Sequence, residues 1–158
     1  MMMHLCCEIL ELLRGKTLAT AESCTGGMIG AALTAVPGSS AVYKGGIISY
    51  TNEVKEFVLG VPGDLLSGEG AVSGPVACAM AQGVREKFST DYSVSVTGLA
   101  GPGGDNFGNP VGTVFVGYAD AYRVKCKAFL FKGDRQQVRE QAAYAALEML
   151  YQESRIGG

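Results

Sequence analysis

Apolar residues recur at helical spacing at Leu5, Ile9, Leu12 and Leu13, which predicts an N-terminal helix closed by Gly15. The pattern then alternates between helix and strand. Lys16 to Thr20 reads as a short buried strand, and Met28 to Leu33 as an apolar helix broken by Pro37-Gly38-Ser39-Ser40. Ala41 to Thr51 reads as a strand or strand pair with a bend at Gly45-Gly46, Asn52 to Leu59 as a short helix, and Gly60 to Gly70 as a turn-rich connection. Ser73-Gly74-Pro75 supplies a cap and a first-turn proline for a helix carrying Val76, Met80, Val84 and Phe88. Asp91 to Thr97 and Thr113 to Val116 are rich in strand formers. Arg123 to Phe131 alternates Arg123, Lys125 and Lys127 with Val124, Cys126 and Ala128, as a half-exposed strand near a sheet edge does. Asp134 can cap a last helix with Val138, Ala142, Ala145 and Met149 on one face. This order predicts a three-layer α/β/α sandwich in a single domain over residues 1–158.

Composition narrows the chemistry. With 158 residues, 47% of them hydrophobic and 18% charged, the chain can bury a core without staples. A net charge of −2 offers no surface suited to a nucleic acid backbone. No apolar stretch reaches the ~20 residues that span a bilayer, and Glu8 interrupts the N-terminus too early for a secretory signal. A cytoplasmic location is the expectation. The five cysteines, Cys6, Cys7, Cys24, Cys78 and Cys126, are odd in number and lack CxxC spacing, which argues against a disulfide framework or a zinc site. No cluster of His, Cys, Asp and Glu has metal-ligand spacing, so no metal is expected.

Two segments carry candidate chemistry. Thr20-Ala21-Glu22-Ser23-Cys24-Thr25-Gly26-Gly27 puts a hydroxyl at a strand-to-helix turn, where helix-start amides can hold a phosphate or an oxyanion. The same run also fits an ordinary helix cap. Gly98 to Gly112 holds six glycines and two prolines between two strands, too long for a tight hairpin. A serine nucleophile needs a base. The one histidine, His4, lies at the extreme N-terminus, which argues against a Ser-His-Asp triad. Lysine is the remaining base, with Lys55 best placed after Tyr50 and Lys44 as competitor; either needs its pKa lowered. Cys24 ranks second as nucleophile, its side chain pointing away from that of Ser23 along an extended segment. Arg135, at the start of the last helix, can grip a phosphate monoester or pair with a surface carboxylate.

Seven collinear segments resemble the CinA C-terminal domain family, the PncC-type nicotinamide-nucleotide amidases. They are Thr20 to Gly27, Val36 to Ser40, Gly45 to Lys55, Gly70 to Ser73, Val96 to Gly104, Pro110 to Val114 and Gly133 to Arg135. The resemblance implies an α/β/α fold with a mixed, mostly parallel sheet and hydrolysis of the carboxamide of nicotinamide mononucleotide to the acid plus ammonia. No metal or organic cofactor is implied. By position, Ser23 matches the nucleophile, Lys55 the general base and Tyr50 a hydrogen-bonding partner. Ser40, Thr97 and Arg135 match substrate-site positions; Thr25, Gly26 and Gly27, with Gly98, Ala100 and Gly101, are expected to share the phosphate and ribose. The family also implies a homo-oligomer, and its stand-alone form is the expectation for this chain. Thr51, Val54 and Gly74 stand where serine, alanine and an acidic residue are usual, and Asp105 to Asn109 is individual to this chain. The competing expectations are a non-catalytic nucleotide-binding domain and an amidase for another small carboxamide.

Overall fold

The structure, a computed structural model, describes residues 1–157; of the expected domain over 1–158, Gly158 lies outside the described residues. Its elements are α1 (Met2–Leu12), β1 (Leu18–Glu22), α2 (Met28–Thr34), β2 (Tyr43–Ile48), α3 (Asn52–Phe57), α4 (Gly63–Glu69), α5 (Gly74–Phe88), β3 (Tyr92–Gly98), β4 (Thr113–Ala119), β5 (Val124–Leu130) and α6 (Arg135–Gly157). The strands form one sheet in the order β2-β1-β3-β4-β5. β1 is parallel to β2 and β3, whereas β4 is antiparallel to both β3 and β5, so only β4 runs against the other four.

The two faces of the sheet are packed differently. Leu18, Val94, Val96, Val114, Val116 and Tyr118 meet the buried faces of α1, α2 and α6, including Ile9, Ile29, Leu33, Ala142, Leu147 and Leu150. On the other face small residues bring α5 close: Ser93 Oγ and Ser95 Oγ donate to Ala81 O and Ala77 O, each at 2.6 Å. At Gly117 a Cβ would stand 2.3 Å from Ala77 O, so a side chain there would push the helix off the sheet. Ala19, Ala21, Val76, Met80 and Val84 fill this side together with Leu59, Val61 and Leu66.

Most sequence-predicted elements form, with displacements. The first strand lies two residues later than expected, which carries it up to Ser23 itself. Leu12 is exposed, because the face of α1 turned inward is Leu5, Ile9 and Leu13. Ala41 to Thr51 yields a single strand. The stretch Gly60 to Gly70, expected as turns, contains α4: burial of Leu66 outweighs the poor helix propensity of its glycines. The last helix is closed by a reciprocal cap in which Gln137 N donates to Asp134 Oδ1 at 2.9 Å and Asp134 N to Gln137 Oε1 at 2.8 Å.

Candidate active site

The chain leaves β1 for β2 on one side and later crosses back to β3 on the other. Ligand crevices form at the carboxyl ends of strands at such a reversal. Ser23 sits there, one residue beyond β1, and its N–H donates to Val96 O of β3 at 3.0 Å. From the third side the turn after β2 leads into α3. That helix is capped by Thr51, whose Oγ1 accepts from Val54 N at 3.3 Å, and it delivers Lys55 inward. Lys55 is 1% exposed. Its Nζ lies 2.9 Å from Ser23 Oγ, 2.7 Å from Ser49 O and 3.4 Å from Tyr50 O. Burial lowers its pKa to about 8. In the neutral amine the two N–H groups go to the two carbonyls, which leaves the lone pair for the Ser23 hydroxyl proton.

The turn that holds Ser23 is built from inside the protein. Glu22 is buried and its Oε1 accepts from Thr25 Oγ1 at 2.7 Å, Gly27 N at 3.2 Å and Ile29 N at 2.9 Å, while Oε2 accepts from Gly30 N at 3.0 Å. The helix-start amides expected to hold a ligand anion are thus occupied by the protein's own carboxylate. Thr25 is buried against Glu22, and neither it nor Gly26 or Gly27 borders the cleft; the positive φ values of Gly26 (59°) and Gly27 (110°) shape the turn instead. Arg139 of α6 braces the turn, donating from Nε to Cys24 O at 2.9 Å and from Nη2 to Thr25 O at 3.3 Å. Glu22 and Arg139 were both missed in the sequence. The signals were an acidic side chain just ahead of a helix start, and an arginine one helical turn after Arg135.

A cleft of about 350 Å³ opens in front of the dyad, a volume suited to a small molecule. Ser23, Lys55, Tyr50, Thr97, Gly98, Ala100, Gly101 and Arg135 all border it. Asn52, Ala71, Val72, Leu99 and Gly103 complete its wall. Thr97 spends its hydroxyl proton on Ala71 O at 2.8 Å. Arg135 ties two loops together, donating to Gly101 O at 2.6 Å and to Tyr50 Oη at 2.9 Å. The Tyr50 phenol therefore faces Arg135, and what this residue offers Lys55 is its carbonyl. Ser40 lies exposed in a 3-10 turn at Ser39–Ala41 and does not border the cleft. Cys24 is among the residues that border the cleft, but it belongs to the buried hydrophobic core, burial pushes its thiol up to about 11, and the lysine pairs with Ser23. Lys44 is exposed and donates to Ser40 O at 3.0 Å, and His4 lies beside Glu8 on the surface of α1. Among the described residues, no three His, Cys, Asp or Glu side chains converge as a metal site, and no helix is long and apolar enough to cross a membrane.

The profile of the CinA C-terminal domain matches residues 4–154. The chain belongs to the CinA C-terminal domain family. It is 50% identical over 138 residues to a CinA-like protein of Gemmatimonas aurantiaca, covering 87% of this chain and 32% of the relative. A CinA-like protein of Desulfotalea psychrophila is 50% identical over 137 residues, with 87% and 33% covered. The chain thus spans about a third of the length of the curated relatives it matches. Solved structures match it nearly end to end. A CinA superfamily protein of Klebsiella pneumoniae superposes with a TM-score of 0.94 at 32% identity, covering 98% of both chains. A competence/damage inducible protein of Agrobacterium tumefaciens gives 0.91 at 38% identity, with 94% and 93% covered. The CinA fold and its α/β/α layering are those of this protein.

Proposed function

We propose that this CinA domain is a serine-lysine amidohydrolase that converts nicotinamide mononucleotide to nicotinate mononucleotide and ammonia. The observation that carries the reaction type is the buried Lys55 Nζ, 2.9 Å from Ser23 Oγ, with its remaining contacts on two backbone carbonyls. The choice of amide rests on the resemblance to the PncC-type amidases. Ser23 Oγ attacks the carboxamide carbon while Lys55 takes its proton, and Lys55 then hands that proton to the departing ammonia. Water, activated by the same lysine, releases the acid from the acyl-serine. The Gly98 to Gly101 segment borders the cleft with the dyad; its Leu99 N–H is spent on Thr113 O at 2.9 Å, and the Ala100 and Gly101 amides serve the oxyanion and the polar substrate groups. Arg135 is the cation at the rim for the phosphate. A homo-oligomer is part of the proposal.

Ammonia release from nicotinamide mononucleotide by wild-type protein, with folded Ser23→Ala alongside and a chelator present, tests the reading. Release by wild type alone is the expected result. Release undiminished in Ser23→Ala overturns the mechanism. Silence from both proteins, with turnover of other carboxamides by wild type, overturns the substrate; silence on every amide favours a binding domain.

A further inference from the structure

Cys78 and Cys126 play no part in the cleft, yet the fold brings them face to face. The register sets the direction of Cys126. It is paired with Gly117 across the β4–β5 ladder, so the two residues point to the same side of the sheet. At Gly117 that side is the α5 side, since a Cβ there would run into Ala77 O. Cys78 follows Ala77 on α5, and Gly74 lies one helical turn before Cys78. The sulfur of Cys126 occupies the space a side chain at residue 74 would need: a Cβ on Gly74 would stand 2.9 Å from it. The two thiols lie close enough that Cys126 helps to raise the pKa of Cys78. Cys126 is exposed and Cys78 half-buried, which leaves the pair open to small oxidants while Cys6 and Cys24 are buried.

We propose that Cys78 and Cys126 form a reversible disulfide that clamps helix α5 to the edge strand β5 when the protein meets a peroxide. The accessible sulfur reacts first. The Cys126 thiolate attacks the O–O bond, giving a sulfenic acid and, after protonation, one water from hydrogen peroxide. Cys78 sulfur then displaces the hydroxyl, the S–S bond forms and a second water leaves. Overall two thiols and one peroxide give one disulfide and two waters. Burial, with the neighbouring thiol second, pushes the Cys78 pKa up to about 11, which leaves Cys126 as the first sulfur to react. Within the sheet only β4 pairs with β5, and most of β5 is exposed, so a covalent tie adds constraint at a sheet edge.

The test treats reduced full-length protein with limiting hydrogen peroxide and maps its peptides without reduction. The expected result is a Cys78–Cys126 linked peptide, two fewer titratable thiols after denaturation, and a rise in Tm of about 5–10 °C that dithiothreitol reverses. Cys78→Ser and Cys126→Ser, melted reduced and oxidised, each lose that rise. A cross-link through Cys7, or a Cys126 oxidised to sulfinic acid beside a free Cys78 thiol, overturns the proposal. A linked peptide with no change in Tm overturns the clamp.

Discussion

Two glycine-bearing turns flank the cleft, and they use glycine for opposite ends. In the β1–α2 turn, Gly26 and Gly27 let the chain fold back over Glu22, whose carboxylate takes up three backbone amides and the Thr25 hydroxyl. That turn is closed to an outside anion, and what it displays is Ser23. In the β3–β4 connection, Gly98, Gly101 and Gly103 border the cleft, with no protein carboxylate placed against them. The first turn spends its helix start on holding Ser23 still. The second leaves its surface open to the cleft. The same residue type, read locally, gives no warning of which use applies; a buried acid one residue before Ser23 makes the difference.

Removing the nucleophile or its base breaks the comparison most sharply. Ser23→Ala and Lys55→Met should each lower kcat for ammonia release by at least about 10⁴-fold, measured on protein whose circular dichroism is unchanged. Emptying the first turn comes next. Glu22→Ala strands three amides and a hydroxyl at a largely buried helix start and should cost about 3 kcal/mol in urea unfolding, along with most of the activity, whereas Glu22→Gln, which still accepts, should lose less. In the second turn, Gly98→Ala puts a methyl 2.7 Å from Val114 Cγ2 and 3.0 Å from Thr113 O, so it should destabilise by about 1–3 kcal/mol and raise KM.

Proton linkage gives a smaller but more specific effect. Lys55 must be neutral to act as a base, so kcat/KM should rise with pH through about 8 and then level, a limb that Lys55→Met abolishes. Stability follows the same group. The folded pKa lies below the unfolded value of 10.5, so the unfolded chain binds more protons between about 8 and 10.5, and the Lys55 contribution to stability rises with pH across that window. Thermal melts of wild type against Lys55→Met should diverge there. Lys44→Ala, on the exposed side of β2, should change neither profile.

Much of this was legible along the chain because it depends on near neighbours. Ser73, Pro75 and Asp134 mark helix starts by chemistry within one turn, and the alternating charges of β5 mark an edge strand. The layering followed from the order of elements, and the Ser23 run and Lys55 stood out as segments. Other features depend on what arrives from far away. Leu66 makes a helix of a glycine-rich stretch by finding a pocket beside α5. Tyr50 and Ser40 lie near Lys55 in sequence, yet the fold turns the Tyr50 phenol to Arg135 and leaves Ser40 in solvent.

The sequence by itself determined the elements, their order and the candidate pair of serine and lysine, since periodicity, caps and turns are set by residues a few positions apart. Only the tertiary structure decided that Lys55 rather than Lys44 loses its water and meets Ser23, 32 residues away. It also decided that Glu22 fills the helix start and that two cysteines on α5 and β5 face one another. Burial and long-range register are properties of the packed chain, and desolvation, which sets the chemistry of the lysine, exists only once the sheet and helices have closed around it.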